Sequence, residues 1–136
     1  MKLRGKRKKL KIPVPLEHDE QLALIQWCNL KKIFIFAIPN GGKRNVITAQ
    51  KLKAEGVVAG IPDLFIPEPR GGWHGIFIEM KRTNATPSAT SPIQGQIIAA
   101  LRGRNYKVKV CKGWIEASKE IEAYLKLKSV EHWEDV

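Results

Sequence analysis

The sequence is poor in cysteine, histidine and long apolar runs, and each shortage removes a class of protein. Its 2 cysteines, Cys28 and Cys111, have no CxxC partner, and each sits in an apolar segment. They read as buried free thiols rather than as a disulfide or a metal site. The 3 histidines, His18, His74 and His132, show no HExxH or other zinc-ligand spacing. Asn40-Gly41-Gly42-Lys43-Arg44 does not have the spacing of a GxxxxGK[ST] phosphate loop. No apolar run approaches the ~20 residues that span a bilayer, and the first residues carry no apolar signal core. No internal repeat is present. The expectation is a cytoplasmic chain in a reducing setting, with no membrane partner.

Acidic residues are also in short supply, 13 against 24 Lys and Arg, for a net charge of +11. The imbalance is local. Lys2, Arg4, Lys6, Arg7, Lys8, Lys9 and Lys11 crowd the first eleven positions with no acid among them, and outside that stretch the surplus falls to +4. Such an arm is suited to non-specific phosphate contacts, its plainer reading being a solvated tail. Residues 1–14 form the arm, 15–127 one folded domain, and 128–136 a short acidic tail.

With 43% hydrophobic residues, 136 residues can bury one core. The pattern predicts a helix over Glu17–Leu30, with Asp19 and Glu20 suiting its first turn. A strand follows at Lys32–Pro39, whose near-continuous apolar run predicts that both faces are covered. A short helix over Ile47–Glu55 stops at Gly56. Strands are predicted at Ile61–Ile66, Gly75–Lys81 and Tyr106–Lys112. Ser91 caps a helix running from Pro92 to about Arg104, and the last helix covers Trp114–Leu127. The expected fold class is α/β, with a central mixed sheet of about four strands flanked by helices.

Acidic residues occur where an apolar strand does not need them. If the hairpin folds symmetrically about Gly71, Asp63 lies opposite Glu79, with Cβ atoms roughly 5 Å apart. Glu79 and Lys81 then share one face of their strand while Ile78 and Met80 share the other. Two close carboxylates repel unless a proton or a cation lies between them. A hard divalent cation such as Mg²⁺, held by carboxylates together with water and a phosphate, suits that arrangement. For either acid alone, a solvated strand residue is the plainer reading.

Pro62-Asp63 followed by Glu79-Met80-Lys81 resembles the PD-(D/E)XK nuclease motif. Asn40-Gly41-Gly42, Gly60-Ile61-Pro62-Asp63, Gly75 to Lys81, Ser91-Pro92-Ile93-Gln94 and Val110 to Trp114 narrow the resemblance to the small stand-alone VRR-NUC domain nucleases, many from bacteriophages. It covers roughly residues 15–125. The resemblance implies a restriction-endonuclease-like core and Mg²⁺-dependent cleavage of DNA, with Mn²⁺ able to substitute. It also implies Holliday-junction resolvase-like action by a homodimer on branched DNA. Less selective cutting of flaps, nicks or duplexes is one alternative; non-catalytic DNA binding on a nuclease fold is another.

By the same resemblance, Asp63 and Glu79 are metal ligands, joined by the backbone carbonyl of Met80. Lys81 contacts the scissile phosphate or the attacking water, its charge matching that on the phosphoryl oxygens. Gln94 positions phosphate or water. The first helix supplies a further acid, Glu17, which stacks with Gln21 four residues on. Glu20, three residues from Glu17, is the fallback. The Asn40-Gly41-Gly42-Lys43-Arg44 loop can offer amide groups and two cations to DNA phosphate, or form a simple turn. Trp27 and Trp114 read as core residues. Trp73 and His74 fall in a glycine-flanked loop, Trp73 expected to be exposed and His74 a surface histidine.

Overall fold

The structure, a computed structural model, describes residue 5, residues 11–39 and residues 46–129, the side chain of residue 46 excepted. The cations Lys2, Arg4, Lys6, Arg7, Lys8 and Lys9, the loop Asn40 to Arg44 and the acidic tail from residue 130 lie outside the described residues; Lys11 is exposed.

Helix α1 spans Glu17–Leu30. Leu24 and Cys28, one turn apart, are fully buried, so a single stripe of the helix faces the core. At the other end of the chain α4, Gly113–Leu125, buries Ala117, Ile121 and Tyr124 at the matching helical spacing. These two helices pack on one face of a four-stranded sheet ordered β1-β2-β3-β4. The strands are β1 (Phe36–Ala37), β2 (Leu64–Ile66), β3 (Ile76–Lys81) and β4 (Lys107–Lys112). Leu64, Ile66, Ile76, Ile78 and Met80 supply the sheet side of the core, and all are fully buried. Each such side chain contributes about 1.5–3 kcal/mol through burial. The Tyr124 hydroxyl crosses this core and donates to the Glu68 carbonyl at 2.6 Å.

β1, β2 and β3 are antiparallel, and β4 joins β3 in parallel. A parallel pair needs a crossover, and α3 (Pro92–Arg102) provides it. The β2–β3 register pairs Leu64 with Ile78, Phe65 with Phe77 and Ile66 with Ile76. Continued by one residue, that register sets Asp63 against Glu79, as folding about Gly71 requires. A further α-helix, α2, spans Val46–Ala54 and is followed by Gly56, whose φ of 98° is left-handed.

The first strand departs from expectation. Two residues of the Lys32–Pro39 run join the sheet, and they form an edge strand with an open face. Ile33 and Ile35 pack toward the core, whereas Phe34 and Phe36 remain 64% and 43% exposed. Their rings begin an aromatic lane on the sheet face opposite α1 and α4. Phe36 pairs in register with Phe65, and Phe65 with Phe77, with Tyr106 beyond them. The apolar run therefore reflects this lane, not burial on both sides. Trp27 and Trp114 pack against the core as expected, and Trp73 does so too, partly buried rather than exposed.

Candidate active site

Strand alternation divides β3. Its even-numbered residues face the core, while Phe77, Glu79 and Lys81 face the lane side. Glu79 is 3% exposed and Lys81 8%, so two charges are withdrawn from water beside each other. Burying ionic groups is costly unless they are paired and hydrogen-bonded. Lys81 Nζ lies 3.5 Å from Glu79 Oε1. It also donates to the Ala89 carbonyl at 2.9 Å and to Gln94 Oε1 at 3.2 Å.

Gln94 joins these two charges. Its Nε2 donates to Glu79 Oε1 at 3.1 Å, and its Oε1 accepts from the Ser91 amide at 3.1 Å as well as from Lys81. The Ser91 hydroxyl in turn accepts from the Gln94 amide at 3.2 Å, closing a capping box at the start of α3. One side chain thus fixes a helix end, a carboxylate and an ammonium group. The Ser-Pro-Ile-Gln spacing carries that cap in the sequence. Gln96 is exposed, away from the site.

Asp63 is held from the other direction. Its Oδ2 accepts the Met80 amide at 2.8 Å. Met80 therefore enters the site through its N–H, a contact that the Glu-Met-Lys spacing alone does not reveal. Gly60, at φ 86°, brings the Gly-Ile-Pro-Asp segment against α3. A Cβ there would meet Ile93 Cγ2 at 2.9 Å and the Gln94 amide nitrogen at 3.2 Å, so a larger residue would push Asp63 away from Gln94.

Glu17, exposed at the start of α1, completes the group: Glu17, Asp63 and Glu79 each bring a carboxylate oxygen within 4.8 Å of the others. Glu20 does not join them. It is buried, and its Oε2 accepts the Trp114 amide at 2.7 Å, capping α4. The cap depends on Gly113, at φ 81°, where a Cβ would lie 3.2 Å from Glu20 Oε2 and 2.7 Å from the Thr83 methyl. The fallback ligand is thus a structural cap, a role created by packing α1 against α4.

The electrostatics follow from crowding. Burial, with the charges of Asp63 and Glu17, pushes Glu79 up to about 7, and Lys81 only partly offsets them. Burial also raises Asp63, against the Met80 amide and Lys81, which favour its ionised form. Glu17 is raised by burial and by Asp63. A protonated Glu79 can share its proton with Asp63. Ionised, Glu79 leaves Oε2 buried with no hydrogen-bond partner among the described residues. An orphaned carboxylate oxygen within a three-carboxylate cluster fits a hard divalent cation, which takes oxygen ligands and offsets the repulsion. The donor set contains no sulfur or imidazole.

These groups form the floor of a cleft of about 940 Å³. Ala49, Leu52 and Lys53 of α2, the loop through Val58 and Gly60, and Ile93 of α3 form its walls. Lys53 and the apolar wall carry no motif that would single them out in the sequence. Just beyond Lys81, Arg82 donates from Nη2 to the Val14 carbonyl at 2.7 Å and from Nε to the Pro15 carbonyl at 3.1 Å. His74 is exposed and lies with its ring 5.4 Å from Tyr106, outside this cleft.

The VRR-NUC domain family model matches residues 12–114, a span that contains all three carboxylates, Lys81 and Gln94. The chain belongs to the VRR-NUC family. A solved structure named "VRR_NUC domain protein" is similar at 29% identity, with a TM-score of 0.74, over 88% of this chain and 95% of that one. Among curated proteins, none matches the chain. The VRR-NUC assignment places it among nucleases, and its mixed sheet flanked by helices agrees with the restriction-endonuclease-like expectation. Among the described residues, no helix is long and apolar enough to cross a membrane.

Proposed function

We propose that this VRR-NUC chain is a divalent-metal-dependent, structure-selective DNA endonuclease that acts on branched DNA as a Holliday-junction resolvase-like homodimer in the cytoplasm. The carboxylate triad with its unpartnered Glu79 oxygen carries this reading. Glu17, Asp63 and Glu79 would hold the metal, with the Met80 carbonyl as a further ligand. Mg²⁺ is the proposed ion, with Mn²⁺ able to replace it. Bound there, the ion would supply Lewis-acid activation of water and neutralise charge on the phosphate.

The protein's own groups set up the rest. Lys81 exchanges its present acceptors, the Ala89 carbonyl and Gln94, for a non-bridging phosphate oxygen, and its charge counts most as negative charge builds in the transition state. Gln94 keeps Glu79 oriented while that exchange occurs. The Met80 amide holds the Asp63 carboxylate in one rotamer, which limits the reorganisation needed at the moment of reaction. The cations of residues 2–11 and of the loop Asn40 to Arg44 are proposed as phosphate contacts.

The aromatic lane supports the homodimer. Phe34 and Phe36 present apolar rings at the sheet edge, and a two-fold pairing there would give two sites for two strands. The deciding experiment compares cleavage of a labelled four-way junction with flap, nicked and linear duplex DNA in Mg²⁺. Preferential, paired incision of the junction supports the reading. Equal rates on all four would leave a nuclease without structural selectivity, and no cleavage of any would remove the catalytic assignment.

A further inference from the structure

The wall of the cleft facing the carboxylates has a different chemistry from its floor. Ala49, Leu52 and Lys53 project from one face of α2 at helical spacing. Across from them, Val58 and Ile93 line the same cleft while 48% and 53% exposed. Single exposed apolar residues are ordinary on protein surfaces. Several converging on the cavity that holds the carboxylate triad mark a ligand surface. Lys53 is exposed and has no ion-pair partner among the described residues.

We propose that this wall is a subsite for one unstacked nucleotide beside the scissile phosphate. Lys53 takes the neighbouring phosphate, and Leu52, Val58 and Ile93 take the sugar and the exposed face of the base. The inference rests on the nuclease reading above and deepens it. Charge and size single out this occupant. A wall tracking intact duplex would meet mainly phosphates, yet here one cation stands among apolar side chains. The cleft volume of about 940 Å³ lies at the upper end of small-ligand sites, a scale suited to a nucleotide or two rather than a helix. In a duplex the base faces are covered by stacking; at a branch they can be freed. Apolar contact with a free base would therefore favour cutting where the strand is already unstacked, giving a small domain structural selectivity without base readout.

The test uses the full chain carrying Asp63→Asn, to prevent cutting, with 2-aminopurine in turn at each of the four strands' branch-point positions of a four-way junction. Binding should raise the probe's emission severalfold, reporting an unstacked base. Val58→Thr, which keeps side-chain size, and Ile93→Thr, one carbon smaller, both checked by thermal melting, should abolish the rise. In the otherwise unmodified enzyme they should lower the junction-to-duplex ratio of kcat/KM by about tenfold, the scale of losing one base contact. Lys53→Gln should weaken binding about three- to tenfold and reduce the salt slope by about one, leaving the emission change in place. No rise in emission with the Asp63→Asn protein, or a rise unaffected by both Thr variants, would overturn the subsite. If the unmodified enzyme cut no DNA, the nuclease reading would fail separately, while the emission and affinity measurements would still decide the subsite.

Discussion

Gln94 Nε2 donates to Glu79 Oε1 at 3.1 Å while Gln94 Oε1 accepts from Lys81. The amide thus faces its donor toward a carboxylate and its acceptor toward an ammonium group, and neither contact survives reversal. Gln94→Glu would set a second negative charge against Glu79. Gln94→Ala would free both charges and open the capping box. Each should reduce kcat by about tenfold to a hundredfold, a loss of roughly 1.4–2.7 kcal/mol in the barrier. The alanine variant should also lose about 1 kcal/mol of stability. Single-turnover cleavage and thermal melting, run on both variants, separate the two effects.

Glu17 and Glu20 should part company on mutation. Glu17→Ala removes an exposed carboxylate from the triad, so metal affinity and cleavage should fall while the melting temperature in chelator stays level or rises. Glu20→Ala leaves the Trp114 amide without its charged partner and should cost about 1.5–3 kcal/mol of stability. Metal binding by calorimetry, paired with melting, checks the split. A larger loss of metal affinity at Glu20 than at Glu17 would contradict the assignment of Glu20 as a cap.

The raised carboxylates make the metal-free protein sensitive to pH. Glu79 moves from an ordinary 4.5 to about 7 in the fold. The folded state therefore holds its proton more tightly than the unfolded state does. The resulting stabilisation is fully present below pH 4.5 and fades as pH rises through about 7. In chelator, this group should lower stability by on the order of 3 kcal/mol across that window. Glu79→Gln should remove this share of the dependence, leaving the smaller part due to Asp63 and Glu17, and leave the metal-free protein more stable at pH 8. Metal affinity should change oppositely, rising by up to about tenfold per pH unit over the same window as binding displaces a proton. Chemical denaturation and metal titration at several pH values check both slopes.

Cleavage should require Mg²⁺ or Mn²⁺ and stop in chelator. Ca²⁺, with looser coordination, should support DNA binding better than cutting. Lys81→Met should leave the metal isotherm nearly unchanged yet lower kcat by about a hundredfold or more, the usual scale for a lost transition-state charge contact. Unchanged turnover in Lys81→Met would remove that residue from the chemistry.

The pairing of Asp63 with Glu79 was legible in the sequence because two local rules sufficed. A glycine-rich turn fixes a centre, and a period of two fixes which side chains share a face. The element order and the Ser91 cap followed from equally local signals. What escaped depended on contacts between distant segments. Glu20 and Trp114 are 94 residues apart, and nothing near either announces their bond. The Phe34–Phe36 run looked like a strand covered on both faces, yet its apolar character serves an aromatic lane that spans three strands. The role of the Met80 amide and the position of Lys53 likewise follow from how β2 and α2 lie beside β3.

Arg82 gives the basic arm a fixed point of departure. By gripping the Val14 and Pro15 carbonyls, it fastens the chain one residue beyond Lys81, so residues 1–10 are leashed to the strand that bears the candidate site. Each residue between a cation and this anchor adds at most about 3.5 Å of reach, so Lys11, three residues before Val14, stays within roughly 10 Å of it. Lengthening the arm should widen the protected region in footprinting in step with the added residues, and Arg82→Ala should blur its edge.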